Sequence, residues 1–102
     1  MANVIRATTP TIAYKFKVID VEDITTAFLT IKQNGTTIIE KDLDDAAVGE
    51  DTLSWTFTQS ETLQMAQGKI SCMLNWLTED GTRGASDKSV IIIDSNYKDE
   101  VI

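Results

Sequence analysis

The sequence has no histidine, one cysteine (Cys72) and one proline (Pro10) among its 102 residues. The lack of histidine excludes Ser-His-Asp and Cys-His nucleophilic sites, the usual general base at neutral pH and every zinc site that uses histidine. A single cysteine can form neither an internal disulfide nor a thiolate cluster for zinc or iron–sulfur. No glycine-rich phosphate-binding loop is present. We therefore expect no enzyme activity, catalytic residue, cofactor or small-molecule substrate.

Positive charge is also scarce, because 9 Lys and Arg stand against 16 Asp and Glu for a net charge of −7. The cations are scattered and form no basic stripe, so we expect no binding to nucleic acid or to an anionic membrane. The longest apolar run is residues 90–93, and the first ten residues lack the charged and apolar regions of a signal peptide. These features predict synthesis in the cytoplasm without a transmembrane segment, although the mature chain of a secreted protein would have the same features.

Strand-forming residues are abundant, since Thr, Ile and Val make up 32 of the 102 residues. Apolar residues alternate with polar ones in four segments, which predicts half-buried strands. The inward-facing sets are Ile12, Tyr14, Phe16 and Val18; Ala27, Leu29 and Ile31; Leu53, Trp55 and Phe57; and Ile70, Cys72, Leu74 and Trp76. Residues 88–93 are expected to pair with the last of these strands.

Turn and cap signals divide these strands. The dipeptide Asn34-Gly35 predicts a type I′ hairpin with Ile31 opposite Ile38 and Thr30 opposite Ile39. The run 58–61 (Thr-Gln-Ser-Glu) has the spacing of a capping box and predicts one or two helical turns over residues 60–67. Together, these strands, the hairpin turn and the helix cap predict an all-β, antiparallel, immunoglobulin-like two-sheet sandwich with one short helical connection. We expect a single domain over residues 1–102, with its core at about 5–93 and a flexible tail at about 94–102.

Three features could carry chemistry, and each also has a structural interpretation. The acidic segment 40–51 could supply oxygen ligands to a cation, but it lacks the spacing and the turn glycine of a calcium loop, so we name no metal ligand and leave cation binding open. Trp55 and Trp76 could form a sugar-stacking platform, yet both are in phase with aliphatic neighbours, which favours core packing. Cys72 lies between Ile70 and Leu74 in the same phase and is expected to be a buried small hydrophobe.

The last two strands carry more apolar residues than one buried face needs. If Ile70 and Cys72 face inward, then Met73 and Leu77 face outward, and either Val90 and Ile92 or Ile91 and Ile93 must face outward with them. Exposed apolar residues on a sheet are usually covered by another element or another chain. The bridging helix or the tail around Tyr97 could cover them. We expect self-association or docking instead, and the candidate interface residues are Met73, Leu77, Ile91 and Ile93.

Several stretches together carry a family resemblance: residues 8–12 (TTPTI), 27–35 (AFLTIKQNG), 53–55 (LSW), 58–63 (TQSETL) and 68–81, from Gly68 through Trp76 to Asp80-Gly81. Over roughly residues 5–93 the chain resembles small proteins encoded in phages and prophages of Gram-positive bacteria. More distantly, it resembles the immunoglobulin-like amino-terminal domain of phage baseplate upper proteins. The resemblance is carried by sandwich and hairpin patterns and supplies no functional residues.

The resemblance implies a non-enzymatic structural or assembly protein of the phage tail or baseplate. Its partners would be other structural proteins or further copies of itself, and it would pass from the host cytoplasm into the virion. Baseplate proteins carry a receptor-binding or shaft region after such a domain, and the given sequence stops at Ile102, so we expect an assembly subunit rather than a host-recognition protein. The alternative is a freestanding carbohydrate- or ligand-binding β-sandwich module, which would need exposed aromatic residues on one sheet.

Overall fold

The computed structural model describes residues 2–102, which form nine strands, one short α-helix and two 3-10 turns. The strands are β1 (Ala2–Ile5), β2 (Thr11–Lys15), β3 (Ile24–Gln33), β4 (Thr36–Asp42), β5 (Ala47–Val48), β6 (Thr52–Thr56), β7 (Gly68–Thr78), β8 (Arg83–Ala85) and β9 (Ser89–Asp94). The helix α1 (Gln59–Leu63) connects β6 to β7, and the 3-10 turns are Val21–Asp23 and Leu43–Asp45. No helix in this part of the chain is long and apolar enough to cross a membrane.

Two sheets face each other. The larger sheet has the order β1-β9-β7-β3-β4, with β8 paired to the other end of β7, and the smaller sheet has the order β2-β6-β5. Alternate residues of both sheets fill the core between them, as the period of two requires. The largest fully buried side chains are Trp55, Phe57, Leu29, Ile31, Leu53, Leu74 and Ile93. The predicted immunoglobulin-like sandwich with one short helical connection is confirmed.

One strand pair departs from the antiparallel pattern. β1 runs parallel to β9, with Val4 beside Ile93. No strand is predicted there from the sequence, because four residues at a terminus are too few to show an alternating pattern. The chain then crosses from the larger sheet to the smaller one through residues 6–10, where Ala7 adopts a positive φ of 65°.

Two local predictions are wrong. Val18 is almost fully exposed rather than inward-facing, because β2 ends at Lys15 and the alternation does not continue into the loop. The hairpin turn itself is as predicted, with φ of 54° at Asn34 and 78° at Gly35. However, Ile31 pairs with Ile39 instead of Ile38, because a bulge on β4 adds one residue beyond the turn. The same shift pairs Thr30 with Glu40 instead of Ile39.

The capping box that begins α1 is formed as predicted. The Thr58 hydroxyl accepts a hydrogen bond from the Glu61 backbone N–H at 3.2 Å, and the Glu61 carboxylate accepts one from the Thr58 N–H at 2.9 Å. The helix ends at Leu63, earlier than expected, because the next backbone groups have other partners. The Gln33 side chain exchanges two hydrogen bonds with the backbone of Ala66, at 2.7 and 2.8 Å.

Arg6 fixes the end of the helix to the crossover between the sheets. Its Nε donates to the Met65 carbonyl and its Nη2 to the Leu63 carbonyl, both at 2.7 Å, and its Nη1 pairs with Asp99. Asn96 donates to the Arg6 carbonyl at 2.8 Å, and the Ile102 backbone exchanges two hydrogen bonds with the Gln59 side chain. The C-terminal residues therefore lie against α1, a position that the sequence did not predict.

Candidate interaction surface

The larger sheet has one face in the core and one directed away from it, which we call the outer face. Its residues on the three central strands are Thr26, Phe28, Thr30 and Lys32 on β3, Lys69, Ser71, Met73, Asn75 and Leu77 on β7, and Val90, Ile92 and Asp94 on β9. Glu40 and Asp42 on β4, Asn3 and Ile5 on β1, and Arg83 and Lys88 complete it. Met73 and Leu77 lie on this face, as the alternation of β7 predicted. Met73 is half-buried between neighbouring side chains, and Leu77 is 37% exposed.

Ile91 and Ile93 do not belong to the outer face, so their selection as interface residues is wrong. They are only 7% and 1% exposed. Ile91 pairs directly with Ile70 across the antiparallel β7–β9 ladder, and directly opposed residues share a face, so Ile91 follows Ile70 into the core. The outward pair is Val90, which is 40% exposed, and Ile92, which is half-buried.

Phe28 is the largest exposed apolar residue on the outer face and was not selected from the sequence. It is 43% exposed, whereas its neighbours Ala27 and Leu29 are fully buried. The alternation of β3 did contain this signal, because inward-facing Ala27, Leu29 and Ile31 leave Phe28 directed outward. Phe28 pairs with Asn75, whose same-face neighbours on β7 are Met73 and Leu77.

Two adjoining depressions cross the outer face. One of about 270 Å³ is lined by Thr26, Phe28, Asn75, Trp76, Leu77 and Arg83. The other, of about 530 Å³, is lined by Thr30, Lys32, Gly35, Ser71, Cys72, Met73, Asn75 and Lys88. Asn75 contributes to both, so together they form one shallow groove along β3 and β7. The apolar side chains of Phe28 and Leu77 line one end of this groove. Lys32 and Lys88 line the other end.

Positive charge is concentrated at the outer face even though the whole chain is acidic. Four cations, Arg6, Lys15, Lys41 and Lys98, form ion pairs within residues 2–102. Five cations form none in this range: Lys17, Lys32, Lys69, Arg83 and Lys88. Four of these five belong to the outer face, and only Lys17 lies elsewhere, in the connection between β2 and β3. These four cations are available to a partner.

The acidic segment 40–51 is spread over β4, a 3-10 turn and β5 and does not gather its carboxylates. Among the residues that the structure describes, no group of three or more Asp, Glu or Cys side chains could hold a metal ion. Within this segment the Asp42 carboxylate accepts a hydrogen bond from the Asp44 backbone N–H at 3.1 Å, which caps the 3-10 turn. Asp42 thus has a local structural role as the cap of this turn.

Trp55 is fully buried, as its phase predicted, and its indole N–H donates to the Asp42 carbonyl at 2.9 Å. Trp76 is half-buried at one end of the sandwich and makes an edge-to-face contact with Phe16, with ring centroids 5.1 Å apart. The two indoles therefore form no common exposed platform. The fully exposed aromatic residue is Tyr97, in the C-terminal segment.

Cys72 is 2% exposed, and burial raises the pKa of its thiol. Its neighbour Tyr14 has a buried hydroxyl that makes no hydrogen bond of normal geometry within residues 2–102. Burial also raises the pKa of Tyr14, and the adjacent Cys72 thiol adds to the effect. A buried neutral thiol beside a buried neutral phenol is a poor nucleophile, because the thiolate is the reactive form.

No family model matches the sequence, and no curated protein is similar to it. Among solved structures, CopC from Methylosinus trichosporium OB3b is similar, with a TM-score of 0.60 and 16% identity over 96% of this chain and 89% of CopC. A proposed glycoside hydrolase from Bacteroides vulgatus ATCC 8482 gives a TM-score of 0.58 and 13% identity over 96% of this chain, but over only 17% of its own length. Murine CRIg gives a TM-score of 0.44 and 12% identity over 93% of this chain and 91% of that chain. At these identities the similarity to the first two structures establishes the sandwich fold alone.

Proposed function

We propose that this chain is a non-enzymatic structural or assembly protein of a phage tail or baseplate and acts through protein contacts. The observation that carries the proposal is the outer face of the larger sheet. Phe28, Leu77 and Val90 are each at least a third exposed on one continuous strand surface, with Met73 between them. A grouped apolar surface of this kind is typical of an interaction site.

The size of the surface suits an assembly with many copies. Covering about 200 Å² of apolar area at roughly 25 cal/mol per Å² contributes about 5 kcal/mol before the cost of association, which is of similar size. One such contact is weak by itself. Repetition of the contact around a symmetric particle makes it effective, since each bound copy raises the local concentration for the next.

The choice of a phage particle comes from the family resemblance of the sequence, and the fold is compatible with it. The alternative of a carbohydrate-binding module receives less support, because Trp55 lies in the core and Trp76 is half-buried, so Phe28 is the one described aromatic side chain of the outer face that is more than a third exposed. A sugar platform needs aromatic faces open to solvent.

The test is to purify virions from a host that encodes the chain and to measure its copy number by quantitative mass spectrometry. A structural subunit is present at a fixed stoichiometry, and a strain that produces the Met73→Lys variant yields particles that lack the chain. The Ala13→Lys variant, with the same change on the exposed side of the smaller sheet, is the control and is incorporated normally. Absence of the wild-type chain from purified particles contradicts the proposal.

A further inference from the structure

Four charges of the outer face are separated across the sheet. Glu40 and Asp42 lie on β4, which is the strand at one edge. Arg83 on β8 and Lys88 immediately before β9 lie on the other side of β7. Glu40 and Asp42 thus lie on one side of the apolar residues and Arg83 and Lys88 on the other. Lys32 on β3 and Asp94 on β9 are exceptions to this separation.

The strand register orders these residues into rows across the sheet. In one row Glu40 pairs with Thr30 and Thr30 pairs with Met73, and Lys88 lines the same depression as Met73. The Thr30 hydroxyl donates to the Glu40 carboxylate at 2.8 Å, which holds that carboxylate on the outer face. This row therefore begins with an acid and ends with a base.

The next rows toward Thr78 follow the same pattern, whereas the row of Lys32, Ser71 and Val90 does not. Asp42 pairs with Phe28 and Phe28 pairs with Asn75, and one step further along β7, Leu77 pairs with Arg83. The Arg83 guanidinium donates to the Asn75 side-chain oxygen at 3.3 Å, so it lies over the sheet. In these rows Glu40 and Asp42 therefore lie on one side of the line between β3 and β7, and Lys88 and Arg83 lie on the other.

We infer that the partner of the outer face is a second copy of this chain, packed face to face about a two-fold axis that runs parallel to the strands between β3 and β7. The inference rests on the proposed function and specifies its partner. This rotation exchanges β3 with β7 and the β4 side with the β8–β9 side, and it preserves position along the strands. Glu40 of each copy then faces Lys88 of the other, and Arg83 faces the acidic end of β4 at Asp42.

The same rotation places the apolar residues in the centre. Phe28 of one copy lies over Asn75 of the other, between Met73 and Leu77, because residues two apart on a strand share a face. The result is an apolar centre with a charged rim, as in known protein interfaces. A two-fold axis perpendicular to the strands would instead place β4 on β4, with acid against acid and base against base, which is unfavourable.

Charge reversal tests this arrangement. We expect the wild-type chain to dimerise in sedimentation equilibrium and its dissociation constant to rise with salt. Glu40→Lys and Lys88→Glu each turn two symmetry-related attractions into repulsions, and each raises the dissociation constant on the order of tenfold. The double variant Glu40→Lys/Lys88→Glu exchanges the signs and restores the wild-type value. An equimolar mixture of the two single variants forms heterodimers, because both cross-contacts are then attractive.

The controls are Lys17→Glu and Glu22→Lys, which make the same charge changes at exposed positions between β2 and β3 and leave the dissociation constant unchanged. A strictly monomeric wild type, or a mixture without heterodimers, overturns the inference. If the wild type is monomeric while the chain is found in virions, the inference fails and the proposed function stands. If the dimer forms as described while the chain is absent from virions, the proposed function fails and the inference stands.

Discussion

Trp76 on β7 lies directly against Gly84 on β8, and a Cβ atom on Gly84 would come within 2.5 Å of two carbons of the indole ring. The two residues are paired across the strands, so the absence of a side chain on Gly84 leaves the space that the indole occupies. The indole also makes an edge-to-face contact with Phe16. This contact closes one end of the sandwich next to the Phe28–Leu77 part of the outer face.

We predict that Gly84→Ala lowers the free energy of unfolding by about 1–3 kcal/mol, because the indole must move out of its position. Urea denaturation measures the change. If the space beside Gly84 were open, the same substitution would stabilise the chain by about 0.4–1 kcal/mol, because alanine lowers the conformational entropy of the unfolded chain. In a Trp76→Leu background the cost of Gly84→Ala should shrink, and equal costs in both backgrounds would show that the contact is not responsible.

A second prediction concerns Arg6, whose side chain joins α1 to the crossover between the sheets. Arg6→Lys should lower the free energy of unfolding by about 1–3 kcal/mol. Lysine lacks the planar guanidinium group and cannot reproduce the two hydrogen bonds to the Leu63 and Met65 carbonyls. Lys98→Ala is the control, since Lys98 and Glu100 form an exposed ion pair that contributes little. Equal losses for the two variants in urea denaturation would contradict this role of Arg6.

The alternation of polar and apolar residues was enough to predict most of the sandwich from the sequence. It placed Leu53, Trp55 and Phe57 in the core and left Met73 and Leu77 outside, because each of these segments has an unambiguous period of two. The capping box and the Asn34-Gly35 turn were equally clear, since both depend on interactions between residues close in sequence.

The rest depended on strand pairing, which local patterns do not specify. Residues 90–93 are four consecutive β-branched apolar residues, with no polar residue to mark the outward-facing positions. Only the pairing of Ile91 with Ile70 decides which of them face inward. The bulge near Ile38 lies in a similar β-branched run. The opposition of Glu40 and Lys88 across the outer face likewise appears only when β4, β3, β7 and β9 are aligned in one sheet.

A third prediction concerns alkaline pH. Because burial raises the pKa values of Cys72 and Tyr14, both groups remain neutral in the folded chain while they ionise in the unfolded one. The contribution of each group to stability is complete below its unfolded pKa, near 8.5 for Cys and 10 for Tyr, and is lost as the pH rises toward the folded value. We therefore expect the free energy of unfolding to fall progressively above about pH 9.

Tyr14→Phe separates the contribution of the phenol. This substitution should reduce the alkaline decline above about pH 10. At pH 7 it should cost little, because the Tyr14 hydroxyl makes no hydrogen bond of normal geometry within residues 2–102. Tyr97→Phe, on a fully exposed ring, is the control. A loss above roughly 1 kcal/mol at pH 7 for Tyr14→Phe would mean that the hydroxyl does have a partner.

A fourth prediction is that Cys72 is unreactive in the native chain. The thiol is buried beside Tyr14, and its pKa is raised, so little thiolate is present at neutral pH. A thiol reagent followed spectrophotometrically should label Cys72 only after denaturant is added. Rapid labelling at pH 7 without denaturant would mean that the inner face of β7 opens readily.

The most direct test of the account is the mass of the purified chain in solution, measured by light scattering over a range of concentrations for the wild type and for Met73→Lys. We predict a dimer for the wild type and a folded monomer for Met73→Lys, because a charge on each copy would be buried at the centre of the interface. Ala13→Lys should remain a dimer, since Ala13 lies on the smaller sheet. A wild type that stays monomeric at high concentration contradicts self-association and leaves only docking to a different protein. A Met73→Lys variant that unfolds, as judged by circular dichroism, shows that Met73 belongs to the core and that the outer face is not the interface.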